Sequence, residues 1–115
     1  MKLYDWNLLD DEALNPQIWR KAIHGGSFTV ARLHLLASAV VPEHSHAHEQ
    51  ISMVESGALK FHIGGREQIV RAGEALLIAP HEPHGVEVLE ETDVTDFFAP
   101  AREDWARGDD AYLRR

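Results

Sequence analysis

The stretch "VPEHSHAHEQ", residues 41–50, decides how the chain is read. His44, His46 and His48 recur at every second position, and Gln50 follows at the same interval. Extended backbone turns alternate side chains to one face, so a strand through this stretch predicts a polar row of His44, His46, His48 and Gln50. Two imidazoles one residue apart suit chelation of a single divalent ion and leave coordination positions to be filled from elsewhere. His84 is the candidate third imidazole. It follows a loop bounded by Pro80 and Pro83, where a neighbouring strand would begin.

Outward from this stretch the chain keeps a strand-like pattern. Phe28, Val30, Arg32 and His34 alternate with Thr29, Ala31, Leu33 and Leu35. Ile51 to Glu55 runs into Ser56-Gly57, a turn signal. Leu59, Phe61 and Ile63 alternate with Lys60 and His62, and Gly64-Gly65 reads as a hairpin turn into "REQIV". "EALLIA" (74–79) reads as a buried strand, "VEVLE" (86–90) and "VTDFFA" (94–99) as two further strands, and Pro100 as their stop. Near the N-terminus a short helical turn is expected before Asn15-Pro16. The segment "AREDWARGDDAYLRR" (101–115) predicts a short helical C-terminal tail. Many short strands with glycine and proline between them give an all-β sandwich or barrel.

At 115 residues the chain is expected to form one domain, 1–115, with the barrel over about 20–100. The formal net charge of −8 argues against a nucleic-acid partner, which needs a basic surface. An anionic ligand must therefore be drawn in by local positive charge. There is no cysteine, hence no disulfide and no thiolate metal site. The first residues carry no apolar run of the signal-peptide kind, and no run is long enough to span a membrane. A cytoplasmic location is expected. Trp6 and Trp19 near the N-terminus, together with open sheet edges, favour a homodimer that covers them.

The spacing of these residues resembles a single-domain cupin. The first cupin motif reads here as His44, His46, Gln50 and Gly57, and the second as Gly73 to His84. Ser38 stands where the first motif usually begins with glycine, and Ala79, His81 and Val88 replace the usual Pro, Gly and Asn of the second. The resemblance implies a double-stranded β-helix, or jelly-roll barrel, with one divalent transition metal inside, ligated by His44, His46, Gln50 and His84. Imidazole with one amide oxygen suits nickel, zinc, iron, manganese or copper. His48 shares the strand parity of the ligands but falls outside the motif, as a pocket-lining residue or a surface one. Among His24, His34, His62 and His81, His81 is the one expected nearest the pocket. A glutamate at position 50 would lower the charge of a divalent site to about +1. Glutamine leaves +2, which favours polarising an anionic ligand over oxygen activation.

The second informative stretch is "DFFAPARED", residues 96–104. Asp96 and Phe98 share a strand face, and Asp96, if it faces the interior, is a candidate proton shuttle. Arg102 follows Pro100. Its guanidinium can grip a ligand carboxylate bidentately, or pair with Glu103 or Asp104 and fasten the C-terminal segment. This run is similar to that of the small pectin-degradation cupins, which linearise 4,5-unsaturated uronates. That resemblance implies catalytic roles for Asp96 and Arg102, substrate contacts from Phe98 and Arg102, and a small anionic sugar as ligand. The same scaffold also serves non-catalytic ligand-binding or sensing domains and iron-dependent dioxygenases.

Overall fold

The computed structural model describes residues 1–115. Eight strands follow a short 3-10 turn at Trp6–Leu8: β1 (Glu12–Asn15), β2 (Ile18–His24), β3 (Thr29–Leu35), β4 (Val40–His44), β5 (Glu49–Ile63), β6 (Arg66–Arg71), β7 (Ala75–Ile78) and β8 (His84–Ala99). All pairings are antiparallel, in the order β1-β2-β3-β8-β5-β6, with β4 added to β8 and β7 to β5. Strand pairing thus begins at Glu12, earlier than expected. A helical turn, α1 (Glu103–Ala106), and a 3-10 turn at Ala111–Leu113 make up the tail. No helix is long and apolar enough to cross a membrane.

Two long strands organise the barrel. The first part of β5, Glu49 to Val54, pairs with β7 and with the last part of β8. Its second part, Ala58 to Ile63, pairs with β6 and with the first part of β8. The register slips between Val54 and Leu59, so both strands turn a corner there and belong to two sheets. Gly57 sits at this corner with φ +90°. A Cβ there would lie 2.3 Å from the Glu91 carbonyl oxygen and 2.4 Å from Thr92 Oγ1, so no side chain fits. The Ser56-Gly57 signal therefore marks a corner inside one continuous strand and not a turn between two. The same corner explains why "VEVLE" and "VTDFFA" are a single strand.

The alternation of β3 sorts as the pleat requires. Thr29, Ala31, Leu33 and Leu35 are buried, whereas Arg32 is exposed. Ala31, Leu33 and Leu35 join Ile18, Val54, Leu59, Phe61, Val88, Val94 and Phe98 in the core. Gly64 and Gly65 close the β5–β6 hairpin with φ of +58° and +75°, matching a two-residue turn with Ile63 opposite Arg66. β7 departs from expectation. Only Ile78 of its four residues is buried, because it pairs with β5 alone and lies at a sheet edge.

Candidate metal centre

The polar row expected along residues 44–50 is not a strand face. β4 ends at His44, residues 45–48 form a bend, and β5 begins at Glu49. The bend folds His46 back so that its ring centroid lies 5.8 Å from that of His44 and 5.0 Å from that of His84. His84 opens β8, directly opposite His44 in the ladder. Ligand atoms of His44, His46 and His84 all lie within 4.8 Å of one another. Gln50, at the start of β5, reaches the same cluster through its Oε1, 3.0 Å from His46 Nε2. The corner at Gly57 makes this convergence possible, because it brings the two ends of β5 to one mouth of the barrel.

Hydrogen bonds orient all three rings. Nδ1 of His44 lies 2.9 Å from the Pro42 carbonyl, Nδ1 of His84 lies 2.7 Å from that of Glu82, and Nδ1 of His46 lies 3.1 Å from that of His48. Donation from Nδ1 leaves the Nε2 lone pairs free, as metal ligation demands. His84 Nε2 is buried and has no hydrogen-bond partner. His46 poses a sharper problem, since an oxygen faces each of its two nitrogens. A neutral imidazole has one N–H, so with the Gln50 amide oxygen turned toward the ring one nitrogen lone pair opposes an oxygen lone pair in either tautomer. Double protonation would satisfy both contacts, but burial, Arg102 and the neighbouring imidazoles push the ring down to about 4. Burial does the same to His44, also to about 4, and lowers His84. A cation shared between His46 Nε2 and Gln50 Oε1 removes the conflict. The donor set therefore fits a divalent metal.

The cluster borders a cavity lined by His44, Gln50, Ser52, His84 and Tyr112. Asp96, Phe98 and Arg102 line the same cavity. Asp96 lies opposite Ser52 across the β5–β8 ladder, and its Oδ1 is shielded from solvent without a partner. Burial raises its carboxyl to about 6, with Ser52 and Arg102 opposing the rise. Phe98 packs edge-on to His46 at 5.8 Å and to Trp105 at 5.0 Å. Arg102 is 1% exposed, and its guanidinium lies 4.7 Å from the Phe98 ring centroid and 4.4 Å from that of Trp105.

Of the two sequence-derived uses of Arg102, the structure shows the pairing with Asp104. Its Nε and Nη2 donate to Asp104 at 3.0 and 2.8 Å, a bidentate pair, while the residue still lines the cavity. The fork edge is therefore held by the protein's own carboxylate. His48, half-buried, lies 5.4 Å from His46 and 6.5 Å from Phe98 but is not among the residues that line the cavity. His81 is exposed, and only its backbone approaches, the N–H donating to the His46 carbonyl at 2.7 Å.

Three contributors carried no signal that the sequence reading used. Ser52, which accepts a hydrogen bond from Gln50 Nε2 at 2.9 Å, continues the Gln50 face by two residues and was open to detection by alternation. Trp105 and Tyr112 come from the tail. Tyr112 stacks on His44 at 4.2 Å and an interplanar angle of 25°. The tail is fastened by Asp110, fully buried, which accepts from Arg20 and Arg114.

The cupin domain model matches residues 31–98. No curated protein matches the chain. Among solved structures, KdgF from Halomonas sp. superposes with a TM-score of 0.84 at 28% identity, over 90% of this chain and 99% of that one. An RmlC-like cupin from Shewanella frigidimarina gives 0.85 at 23% identity, over 91% and 96%. The polyketide cyclase RemF from Streptomyces resistomycificus gives 0.72 at 19% identity, over 88% and 79%. The fold, the inward-facing imidazoles and the family match over more than half of its length lead to one conclusion: the chain belongs to the cupin family.

Proposed function

We propose that this cupin is a metal-dependent enzyme that opens the ring of a 4-deoxy-4,5-unsaturated uronate to its open-chain keto form. His44, His46, Gln50 and His84 hold one divalent cation. When bound, that cation acts as a Lewis acid toward a ligand oxygen, and the neutral Gln50 amide leaves its full charge available. The reaction is an isomerisation. The C1 hydroxyl loses a proton, the C1–O5 bond breaks to give the aldehyde, and the enol left at C5 becomes a ketone as C4 gains a proton.

The observation that carries this reading is Asp96. A carboxyl raised to about 6, with an unpartnered oxygen in the same cavity as the imidazole cluster, is suited to take up and return one proton near neutral pH. Arg102 supplies the positive charge for the uronate carboxylate, and Phe98 offers an apolar face to the sugar ring. The likeness to KdgF and to the pectin-degradation run Asp96 to Asp104 supports the substrate class.

The test follows loss of the unsaturated uronate's ultraviolet absorbance, with and without chelator. Faster loss than the spontaneous rate, abolished by the chelator, is expected. Asp96→Asn, which keeps shape but cannot accept the proton, should lower kcat by about 100-fold or more with metal content unchanged. A rate equal to the spontaneous one with wild-type protein overturns the reading.

A further inference from the structure

We infer that Tyr112 is a direct ligand contact, donating its phenolic hydrogen to an oxygen of an anionic sugar in the cavity, beside Arg102. The inference rests on the uronate reading above for the class of ligand. A phenol has one O–H and two acceptor lone pairs. The Tyr112 oxygen accepts from Arg102 Nη2 at 2.8 Å and from Trp105 Nε1 at 3.2 Å. Its acceptor capacity is used, and no side-chain or backbone acceptor lies within hydrogen-bond reach of it. Donation of the O–H is all that remains, and the residue lines the cavity next to His44.

Arg102 gives this donor a purpose. Asp104 occupies its Nε–Nη2 edge, so the guanidinium has no complete fork to offer a second carboxylate. Burial would raise the Asp104 carboxyl, yet the Arg102 hydrogen bonds hold it below its ordinary value, the mark of a settled pair. Arg102 Nη1 and the Tyr112 hydroxyl then form a mixed clamp in place of the fork. Donation from the guanidinium also polarises the phenol and strengthens its O–H as a donor. The ring cannot drift, because it stacks on His44 and its neighbours are fastened: Asp110 by Arg20 at 2.9 Å, and the Leu113 carbonyl by Asn15 Nδ2 at 3.2 Å.

The experiment uses zinc-loaded protein and D-galacturonate, a saturated uronate that cannot react, with binding measured by calorimetry. Tyr112→Phe is expected to weaken binding by about 10-fold, as loss of a hydrogen bond to a charged group does, with zinc stoichiometry unchanged. Replacing Tyr112 by 3-fluorotyrosine separates contact from scaffolding. Fluorine makes the phenol a better donor and a poorer acceptor, so direct donation predicts tighter binding than wild type, and a merely structural role predicts weaker binding. Equal binding by Tyr112→Phe, or weakening by fluorotyrosine, overturns the inference. Failure of wild-type protein to bind galacturonate overturns it too. The ultraviolet assay on the unsaturated uronate reports separately on the reaction itself.

Discussion

Histidines inside and outside the barrel carry the same side chain and behave as opposites. His44, His46 and His84 face one another with no carboxylate in hydrogen-bond contact, and burial drives all three down. His34 stands on the outer face between Asp93, 2.7 Å from its Nδ1, and Glu91, 3.3 Å from its Nε2, and the Asp93 hydrogen bond raises it. One environment favours the neutral imidazole with its lone pair available, and the other favours the protonated form. Ligand character here comes from what surrounds the ring, which the spacing of histidines in a sequence does not reveal.

Removing an inner histidine should have the largest effect. His84→Ala deletes the imidazole at the most buried corner of the cluster and is expected to lower metal affinity by more than about 100-fold, since even supporting residues around metal ligands are worth 10–100-fold. His34→Ala should leave metal content untouched. Elemental analysis of both purified proteins decides this. Stoichiometric metal in His84→Ala would erase the distinction between inside and outside.

Acid titration sharpens the same contrast. In metal-free protein the inner imidazoles have folded pKa values below the unfolded 6.5, so the unfolded chain binds protons that the folded one refuses. Their stabilisation is present above 6.5 and is lost as pH falls through the lowered folded values, about 4 for His44 and His46. His34 runs the other way: its folded pKa is raised, so its stabilisation is fully present below 6.5 and is lost as pH rises above 6.5 through the higher folded value. Asp96, raised to about 6, also takes up a proton more readily when folded and opposes the trio. Three imidazoles against these two groups predict a net loss of stability on acidification, steeper still in His34→Asn. Urea unfolding at stepped pH, with ring-proton NMR to assign each histidine, is the measurement. An inner ring that titrates near 6.5 would contradict the burial argument.

What was legible in the sequence follows from how local its cause is. Thr29, Ala31, Leu33 and Leu35 alternate because the pleat has a period of two, and all four are buried. Gly64-Gly65 demands positive φ and closes a hairpin. Gly57 demands it equally, and a turn and a sheet corner make the same local request, so the sequence alone did not separate them. The convergence of His46 with His84 needed the bend at 45–48, which strand parity hides. Tyr112 and Trp105 are held at the cavity because Arg20 and Asn15, far away along the chain, bond Asp110 and the Leu113 carbonyl and cover the Trp105 ring, and nothing within the tail announces that.

His81 forms a third kind, belonging to neither group, and supplies the smallest effect. Its side chain is exposed, yet its φ is +64°, a conformation that costs a residue with a Cβ about 1 kcal/mol or more. Ser38 has φ +72° and the same strain. These are two of the positions at which the chain departs from the cupin pattern by lacking glycine, so the strain is explained by the missing glycines. His81→Gly should remove the strain but lose some unfolded-state restriction, for a net stabilisation of about 0.5–1 kcal/mol in urea unfolding. The backbone N–H of residue 81 still holds the His46 carbonyl, so metal affinity should not change. A drop in metal content would mean that the His81 imidazole serves the centre after all, and exposure would no longer separate the ligands from the rest.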